Sequence, residues 1–562
     1  MAGIQDVVVF DTNAIGWAPL GSSTALSLHY EADPERLPAS TAVVGHARHE
    51  PTGRYVLAAG RHDEDHGLCQ LITPGALKPR VTYRVEGWIS IIAATTDEER
   101  TTSHGGVLVH VSIRLDDGRR VVNGGAVCAE PGKWAELKGA FRLSETPRSA
   151  AVHVHAGVDV KVMDLRIVAT DRKARFRQLR DKTDKVRKRD VVLSFGGTSP
   201  SSVSGASIRV VQLDNGFPFG SCINCQVIQD PAFVDFFSTH FDWAVFENEL
   251  KWYWTEPQRG QVSYADADRL LDFCDRAGKT ARGHCIFWAV DGDVQQWVKD
   301  LAAGSDGPAQ LAAAVEARLT GLLSRYAGRF AHYDVNNEML HGRFYRARLG
   351  DDAPARMFHE AARLDPSAAL FVNDYNVECG NDPCATPEKY IELIRELQRD
   401  GAQVGGIGLQ GHVTHPVGEV ICDALDKLAA TGLPVWVTEL DVCEPDEELR
   451  ADDLEVVLRE VYAHPAVHGV VLWGFLQGHM WRQDAYLVNS NGTVNDAGQR
   501  FIDLRKEWTS EARGLVDGNG QFKFRGFHGT YVVQVTTATG NMLKTFTVDK
   551  GDAPLVLDVM DL

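Results

Sequence analysis

The chain has 562 residues, more than the roughly 250–300 residues at which a single hydrophobic core stops growing, so the length predicts two to four domains. Hydrophobic residues make up 44% and charged residues 24% of the chain, which is typical of globular proteins and excludes wholesale disorder. The formal net charge is −18, from 76 acidic and 58 basic residues, which disfavours a nucleic acid as the partner.

The N-terminal segment lacks the features of an export signal. It has no basic stretch, and its apolar run at residues 7–10 is shorter than a signal-peptide core. Because no run of about 18 apolar residues occurs, the sequence predicts no membrane span. We therefore expect a soluble protein, either cytoplasmic or released by a non-classical route. The ten scattered cysteines favour reduced thiols, and we interpret Cys222 and Cys225 as packing residues rather than as a zinc or redox pair.

Residues 1–170 consist of short alternating segments such as 81–92, 106–115 and 151–160, separated by turn residues at hairpin spacing. This pattern predicts a β-sandwich of the jelly-roll type. Residues 171–190 then concentrate ten Lys and Arg residues against four Asp residues. We interpret this stretch as a basic helical linker that is solvated, since few aromatic residues are interleaved as a nucleic-acid site would require.

From residue 191 to residue 511, apolar strand-like runs alternate with segments whose apolar residues recur every three or four positions. The strand-like runs lie at residues 217–224, 242–248, 280–287, 331–338, 369–376, 405–412, 434–441 and 467–475. Eight βα repeats predict a (β/α)₈ barrel, also called a TIM barrel. Residues 512–562 return to alternation and turn at Asp-Gly and Gly-Asn, which predicts a small C-terminal β-module.

Active sites of such barrels form at the carboxyl ends of the strands. In this sequence those ends are rich in polar and aromatic residues: Glu247, Asn248, Lys251, His284, Trp288, Asn337, Glu338, Tyr375, Gln410, His412, Glu439, Asp441 and Trp473. Such groups destabilise a packed interior unless they face a solvated cleft. Their concentration therefore indicates a functional site.

Two of these residues, Glu338 and Glu439, lie on the fourth and seventh predicted strands, which places them across the mouth of the same barrel. Glycoside hydrolysis requires a pair of carboxyl groups, one to protonate the leaving oxygen and one to attack the anomeric carbon or activate water. The sequence contains no phosphate-binding loop, no G-x-S-x-G elbow and no H-E-x-x-H pair. A glycosidase without metal or cofactor is the reaction class that we expect.

Residues 191–510 resemble glycoside hydrolase family 10, the endo-1,4-β-xylanases. The resemblance is carried by seven motifs in chain order: FENELKW at 246–252, GHCIFW at 283–288, DVNNE at 334–338, NDYN at 373–376, GLQGH at 408–412, TELD at 438–441 and LWG at 472–474. It implies that Glu338 is the acid/base and Glu439 the nucleophile of a retaining double displacement.

The same resemblance implies supporting roles for further residues. His412 would hydrogen-bond Glu439, Asp441 would orient His412, and Asn337 would bind the 2-hydroxyl group of the reacting sugar, with Gln410 nearby. The implied substrate-binding residues are Glu247, Asn248, Lys251, His284, Trp288, Tyr375, Trp473 and Trp481.

Residues 1–170 resemble carbohydrate-binding module family 22, which often accompanies this catalytic domain in plant-type enzymes. In that family an aromatic ligand platform follows a Gly-Arg pair. Residues 62–67, which follow Gly60 and Arg61 here, contain no Phe, Tyr or Trp. We therefore interpret Trp17, Trp88 and Trp134 as core residues and assign no binding residue to the module.

Taken together, the sequence predicts a retaining endo-1,4-β-xylanase that cleaves internal bonds of cell-wall xylan. Two alternatives use the same barrel: a xylan transglycosylase, and a non-catalytic glycan-binding protein. A glucan-active enzyme is less favoured, because the implied tryptophan wall disfavours the hydroxymethyl group of glucose. The expected partners are xylan and xylo-oligosaccharides, with no nucleic acid and no membrane, and the expected state is a monomer.

Overall fold

The computed structural model describes residues 7–11, 16–31, 37, 51–61, 63–92, 107–195, 204–303, 306–538 and 540–559. Within these ranges the ten cysteines are all free thiols. None of the helices in them is long and apolar enough to cross a membrane.

The N-terminal region is built from antiparallel strands in two sheets. Its strands β1 to β11 are Val7–Asp11, Ala18–Leu20, Ala25–Tyr30, Arg54–Ala59, Gly67–Leu71, Thr82–Ile91, Val107–Leu115, Arg120–Ala129, Ala135–Arg142, Ala150–His155 and Val160–Ala169. In the described residues one sheet has the order β3-β4-β11-β6-β9, with β1 also on β11, and the other has the order β2-β5-β10-β7-β8. Residues from both sheets form one hydrophobic core, as expected when alternate side chains of each strand point inward.

Trp88 and Trp134 lie outside that core, so the interpretation of these two residues as core residues is wrong. Val85 and Ile89 of β6 are fully buried in the core, and the two-residue period of a strand turns Trp88 toward the opposite face. Both tryptophans are half-buried, whereas Trp17 does pack against the core.

A helix, α1, spans Arg172–Arg187 and begins at Asp171, whose side chain accepts a hydrogen bond from the amide of Ala174. The interpretation of residues 171–190 as a solvated linker is wrong for one face of this helix. Arg175 is 5% exposed and donates two hydrogen bonds, of 2.6 and 2.7 Å, to Glu460. Arg187, also buried, donates to backbone carbonyl groups of the barrel. Sequence composition shows charge but not its buried partners, which explains the error.

Arg175→Met is expected to lower the free energy of unfolding by about 3–5 kcal/mol, because it leaves the Glu460 carboxylate buried without its partner. Arg177→Met, on the exposed face of the same helix, is the matched control and should change stability little. Thermal and urea unfolding of both variants provide the measurement. Equal stability of the two variants would contradict this view of α1.

Two strands follow α1 before the barrel begins: β12, Lys188–Ser194, and β13, Ser207–Asn215. The next strands, β14 to β24, are Phe219–Ile223, Trp243–Phe246, Thr280–Gly283, Phe287–Trp288, His332–Asp334, Asn336–Asn337, Ala369–Asp374, Gly406–Leu409, His412–Val413, Val435–Val442 and Val467–Leu472. In the residues described from 204 to 538, parallel pairing runs β14-β15-β16-β18-β20-β21-β23-β24. Because β24 also pairs with β14, the sheet closes, which confirms the predicted (β/α)₈ barrel.

Helices surround this sheet and bury apolar faces against it. Those of the described residues, α2 to α12, are Pro231–His240, Trp252–Thr255, Ala265–Ala277, Gln296–Ala303, Gly307–Tyr326, Phe344–Leu349, Ala353–Leu364, Pro387–Arg399, Gly418–Ala429, Glu447–Ala463 and Asp496–Glu507. In α9, Thr386 caps the N-terminus and a buried stripe recurs at Tyr390, Leu393, Ile394 and Leu397. This spacing is the one the sequence pattern predicts for a helix on a barrel.

The C-terminal strands share sheets with the two strands that precede the barrel. These strands, β25 to β29, are Glu511–Leu515, Gln521–Phe527, Gly529–Thr537, Gly540–Val548 and Leu555–Asp558. β12 lies between β26 and β29, and β13 lies between β25 and β27. The local sequence pattern does not predict this pairing. It joins the chain on both sides of the barrel around one further apolar core.

Candidate active site

A cleft of about 630 Å³ opens at the carboxyl ends of the barrel strands. The residues that sequence analysis assigned to the site line it as follows: Glu247, Asn248, Lys251, His284, Trp288, Asn337, Glu338, Tyr375, Gln410, His412, Glu439, Trp473 and Trp481. Asp441 does not line the cleft but lies directly behind it. The structure thus brings the predicted residues into one place.

Glu338 follows β19 in a tight turn that projects its carboxyl group into the cleft. Its φ angle is +62°, its amide donates to the carbonyl of Asn373, and its own carbonyl accepts from the amide of Gly342. The side chain is 8% exposed, and it accepts hydrogen bonds from Trp288 Nε1 at 2.8 Å and Gln410 Nε2 at 3.0 Å. Burial raises the pKa of Glu338 to about 7, although these donors oppose the shift.

Glu439 lies on β23, where its amide donates to the carbonyl of Gln410. Its Oε2 is 3.3 Å from His412 Nε2, and its Oε1 is 3.6 Å from His284 Nδ1. Burial favours the protonated form, but electrostatic interactions with His284, His412 and Lys251 and the hydrogen bond from His412 outweigh it and lower the pKa of Glu439 to about 2. The cleft therefore holds one carboxyl group that is ionised over the whole neutral range and another that titrates near pH 7.

His412 stands between two carboxylates. Its Nδ1 lies 2.9 Å from Asp441 Oδ2, and Nε2 faces Glu439. Burial favours the neutral ring, but the hydrogen bonds and charges of Asp441 and Glu439 raise the pKa of His412 to about 10. A protonated ring has two donors, so His412 donates to both carboxylates.

Asp441 also accepts hydrogen bonds from two adjacent residues of the loop after β24. Trp481 Nε1 donates to Asp441 Oδ2 at 2.7 Å, and Arg482 Nη1 donates to Oδ1 at 2.6 Å. Trp481 is 58% exposed and forms part of the cleft wall. Arg482 was missed by sequence analysis, although it directly follows Trp481 in the chain.

A buried ion pair supports the histidine on the other side of Glu439. Arg282 donates to both oxygens of Asp334 at 2.6 and 2.9 Å, and both residues are fully buried. Asp334 also accepts from His284 Nδ1 at 2.8 Å. In the sequence, Asp334 stands out only as the first residue of the DVNNE motif. Its position within the predicted strand 331–338, four residues before Glu338, was the available signal.

Asparagine side chains connect the carboxyl groups of Glu338 and Glu439. Asn373 Nδ2 donates to Glu439 Oε1 at 2.8 Å and to Asn337 Oδ1 at 3.0 Å. Asn337 Nδ2 in turn donates to Glu338 Oε1 at 3.2 Å. Thr438 fixes the orientation of Asn373 by donating to its Oδ1 at 2.6 Å. Asn373 therefore positions both carboxyl groups, a role that its NDYN motif alone did not reveal.

One end of the cleft is built from cationic and aromatic groups. Lys251 Nζ lies 4.6 Å from the centre of the Trp288 ring and 5.7 Å from that of Trp473, and it donates to Asn248 Oδ1 at 3.2 Å. Tyr253, another cleft residue that sequence analysis missed, donates to the same oxygen at 2.8 Å. Glu247 accepts from Asn224 at 2.7 Å. Hydroxyl-rich ligands match this mixture of donors, acceptors and flat rings.

The other end contains Tyr375, which stacks on His341 with ring centres 3.7 Å apart. His341 lies between two carboxylates, 2.6 Å from Asp374 and 3.0 Å from Asp382. Burial disfavours its charged form, but these two partners raise the pKa of His341 to about 9. Tyr375 is thereby fixed by a protonated ring across the neutral pH range.

Activity on a substrate with a poor leaving group is expected to fall above about pH 7, as Glu338 loses its proton. Gln410→Leu removes a donor that stabilises the Glu338 carboxylate and should move this alkaline limb to higher pH. Gln295→Leu, also in the cleft but without a contact to Glu338, is the control. The measurement is kcat/KM from pH 4 to pH 9. An unmoved limb in Gln410→Leu would contradict the assignment to Glu338.

Comparison with known proteins agrees with this geometry. Residues 207–503 match the sequence model of Glycosyl hydrolase family 10. This span covers more than half of the chain and all of the barrel strands, and the chain belongs to glycosyl hydrolase family 10.

Three curated relatives from Arabidopsis thaliana align over most of the chain. Endo-1,4-beta-xylanase 1 is 47% identical over 98% of this chain and 57% of its own length. Endo-1,4-beta-xylanase 2 is 48% identical over 90% of this chain and 46% of its own length, and Endo-1,4-beta-xylanase 3 is 44% identical over 99% and 73%. The chain thus spans about half the length of the first two relatives.

Proposed function

We propose that this chain is a retaining endo-1,4-β-xylanase that hydrolyses internal bonds of xylan. The observation that carries the proposal is the pair of carboxyl groups in one cleft whose pKa values are held apart, at about 2 for Glu439 and about 7 for Glu338. A glycosidase needs one ionised and one protonated carboxyl group in its active site. Membership of the family and the names of the three relatives support xylan as the substrate.

Glu439 is the proposed nucleophile. In an inverting enzyme the second carboxylate must deprotonate water, and a group with a pKa of about 2 is a weak base for that task. Attack on the anomeric carbon needs only the ionised form, and a weakly basic carboxylate is also a good leaving group in the second step. The low pKa of Glu439 therefore favours double displacement over single displacement.

Glu338 is the proposed acid/base. In the free enzyme it is largely protonated below pH 7 and can donate to the leaving glycosidic oxygen. The negative charge of Glu439 contributes to the raised pKa of Glu338. Once Glu439 is glycosylated that charge is gone, so the pKa of Glu338 falls and the residue can deprotonate the incoming water.

Asn337 and the polar groups of the cleft would bind the sugar hydroxyls. Asn337 is held by Asn373 and Glu338, next to both reacting carboxyl groups, where a contact to the sugar would strengthen as positive charge develops. Glu247, Asn248 and Lys251 would bind the neighbouring sugar on one side. Trp473, 7% exposed, closes the wall that would exclude a hydroxymethyl group.

Substrate class is tested by incubating the protein with soluble β-1,4-xylan and, separately, with carboxymethylcellulose. We expect xylo-oligosaccharides of several lengths from xylan and few new reducing ends from the cellulose derivative. Faster release of reducing ends from the cellulose derivative would overturn the proposed substrate. The product ratio with added xylotriose acceptor distinguishes hydrolysis from transglycosylation, and absence of any cleavage would indicate a non-catalytic glycan-binding protein.

A further inference from the structure

A second cavity, of about 510 Å³, lies between the N-terminal sandwich and the barrel. We call it the junction groove. The sandwich contributes residues of β6, β8 and β9, including Trp88 and Ala126, together with Trp134 of the loop between β8 and β9. The barrel contributes the segment 377–388 that follows β20, together with residues of α9 and α10.

The junction groove combines flat rings with charged hydrogen-bonding groups. Trp88 and Trp134 are half-buried and face it rather than the sandwich core. Its floor contains a network in which Lys427 lies 2.6 Å from Glu388, 3.0 Å from Asp423 and 3.2 Å from Glu136. Aromatic rings that pack on sugar faces and carboxylates that accept from hydroxyl groups are the components of a carbohydrate site.

The charge of the lining favours a neutral ligand. Six carboxylates and three lysines line the groove, namely Glu130, Glu136, Asp382, Glu388, Glu392 and Asp423 against Lys138, Lys389 and Lys427. An anionic ligand would meet a net negative wall. A neutral polysaccharide meets no such repulsion, and its hydroxyl groups can donate to the carboxylates.

The walls of the groove are fixed by contacts between the sandwich and the barrel. Lys138 is paired with Asp423, and Arg142, almost fully buried, donates to Glu444 at 2.9 Å and to Asp453 at 2.5 Å. Gly380 approaches so closely that a Cβ atom there would lie 2.8 Å from the Cβ of Lys138. A ligand therefore meets a preformed groove, with little ordering cost on binding.

The junction groove is separated from the catalytic cleft by one short segment. Asn376 lines the cleft, the next residue, Val377, lines the groove, and Asn376 Nδ2 donates to Asp382 Oδ2 at 3.0 Å. Asp382 lines the groove and also accepts from His341, the residue stacked on Tyr375. A long chain that leaves the cleft past Tyr375 would reach the groove over this segment.

We propose that the junction groove is a second binding site for the β-1,4-xylan chain, which holds polymeric substrate beside the catalytic cleft. The inference rests on the proposed function and extends it, because it assigns a ligand-binding role to Trp88 and Trp134 and to the docking of the sandwich on the barrel. Polymers long enough to occupy both sites gain affinity, whereas short substrates do not.

The test compares kcat/KM on soluble polymeric xylan with kcat/KM on an aryl β-xylobioside that occupies only the cleft. Trp134→Ala removes a ring, and Ala126→Trp fills the groove without removing an existing contact. Each should lower kcat/KM on the polymer by about three- to tenfold, which corresponds to the binding free energy of one aromatic contact. The kcat/KM on the aryl β-xylobioside should stay unchanged. Trp134→Phe should retain most of the polymer activity.

Val121→Trp is the matched control for the added ring, since Val121 is 60% exposed on the same strand, β8, and does not line the groove. If Trp134→Ala and Ala126→Trp both keep the wild-type ratio of kcat/KM on the polymer to kcat/KM on the short substrate, the second binding site is overturned and the proposed function is not affected. A wild-type protein that releases nothing from xylan would instead overturn the proposed function, and the inference with it.

Discussion

Glu439→Gln is expected to lower kcat on xylan by about 10⁴-fold or more, the scale seen when a nucleophile is removed from an enzyme that works by covalent catalysis. The amide is nearly isosteric, and Asn373 and His412 already surround the position with hydrogen-bonding groups. The variant should therefore remain folded while losing the negative charge that attacks the anomeric carbon. Initial rates on xylan, with thermal unfolding to verify the fold, give the measurement.

Glu439→Ala with added azide sharpens this prediction. The small anion fits the space left by the side chain and attacks from the same face, so the expected product is an α-xylosyl azide. Asp441→Ala is a useful comparison, because it disturbs His412 but leaves the Glu439 carboxylate in place. A β-azide from Glu439→Ala, or near-normal hydrolysis by Glu439→Gln, would show that Glu439 is not the nucleophile.

Glu338→Ala is expected to lower kcat/KM on xylan by about 10²- to 10⁴-fold, the typical contribution of general acid catalysis. Aryl xylobiosides with acidic phenols need little protonation, so their first step should proceed and the covalent intermediate should accumulate. A burst of phenol followed by slow turnover is the expected time course, measured by stopped-flow absorbance.

Azide should accelerate the slow step of Glu338→Ala, since it attacks without base catalysis, and the product should be a β-xylosyl azide. The two alanine variants thus predict azides of opposite configuration. Equal loss of activity on substrates with good and poor leaving groups would contradict the acid role of Glu338, because the defect would then not depend on leaving-group protonation.

The barrel was predictable because each of its strands is a short apolar run and because carboxyl ends of parallel strands meet at one rim. Glu338 and Glu439 could be found from that rule together with their motifs, without knowledge of a single contact. The contacts that surround Glu338 and Glu439 could not be predicted in this way. The Arg282–Asp334 pair and the orientation of Asn373 depend on side chains that are 36 or more residues apart in the chain.

Most of the errors come from tertiary partners that leave no mark in the local sequence, whereas the error at Trp88 came from neglecting the two-residue period of its strand. The composition of the Arg-rich segment around Arg175 indicates a solvated surface, and only the fold shows that Arg175 pairs with Glu460. Trp88 was interpreted as a core residue, but it lies on the face of its strand that is turned away from the sandwich core and toward the barrel. Likewise, β12 and β13 carry ordinary strand patterns, and only the fold shows that they pair with the C-terminal strands. The domain boundaries and the likeness to carbohydrate-binding module family 22 remain predictions.

The central claim is that Glu439 and Glu338 act by double displacement, and proton NMR of the first product tests it most directly. Xylo-oligosaccharide is mixed with the protein, and the anomeric protons of newly formed reducing ends are followed before mutarotation. The β-anomer should appear first, because two inversions at the anomeric carbon give net retention. Initial appearance of the α-anomer would contradict double displacement and assign Glu439 to activation of water instead.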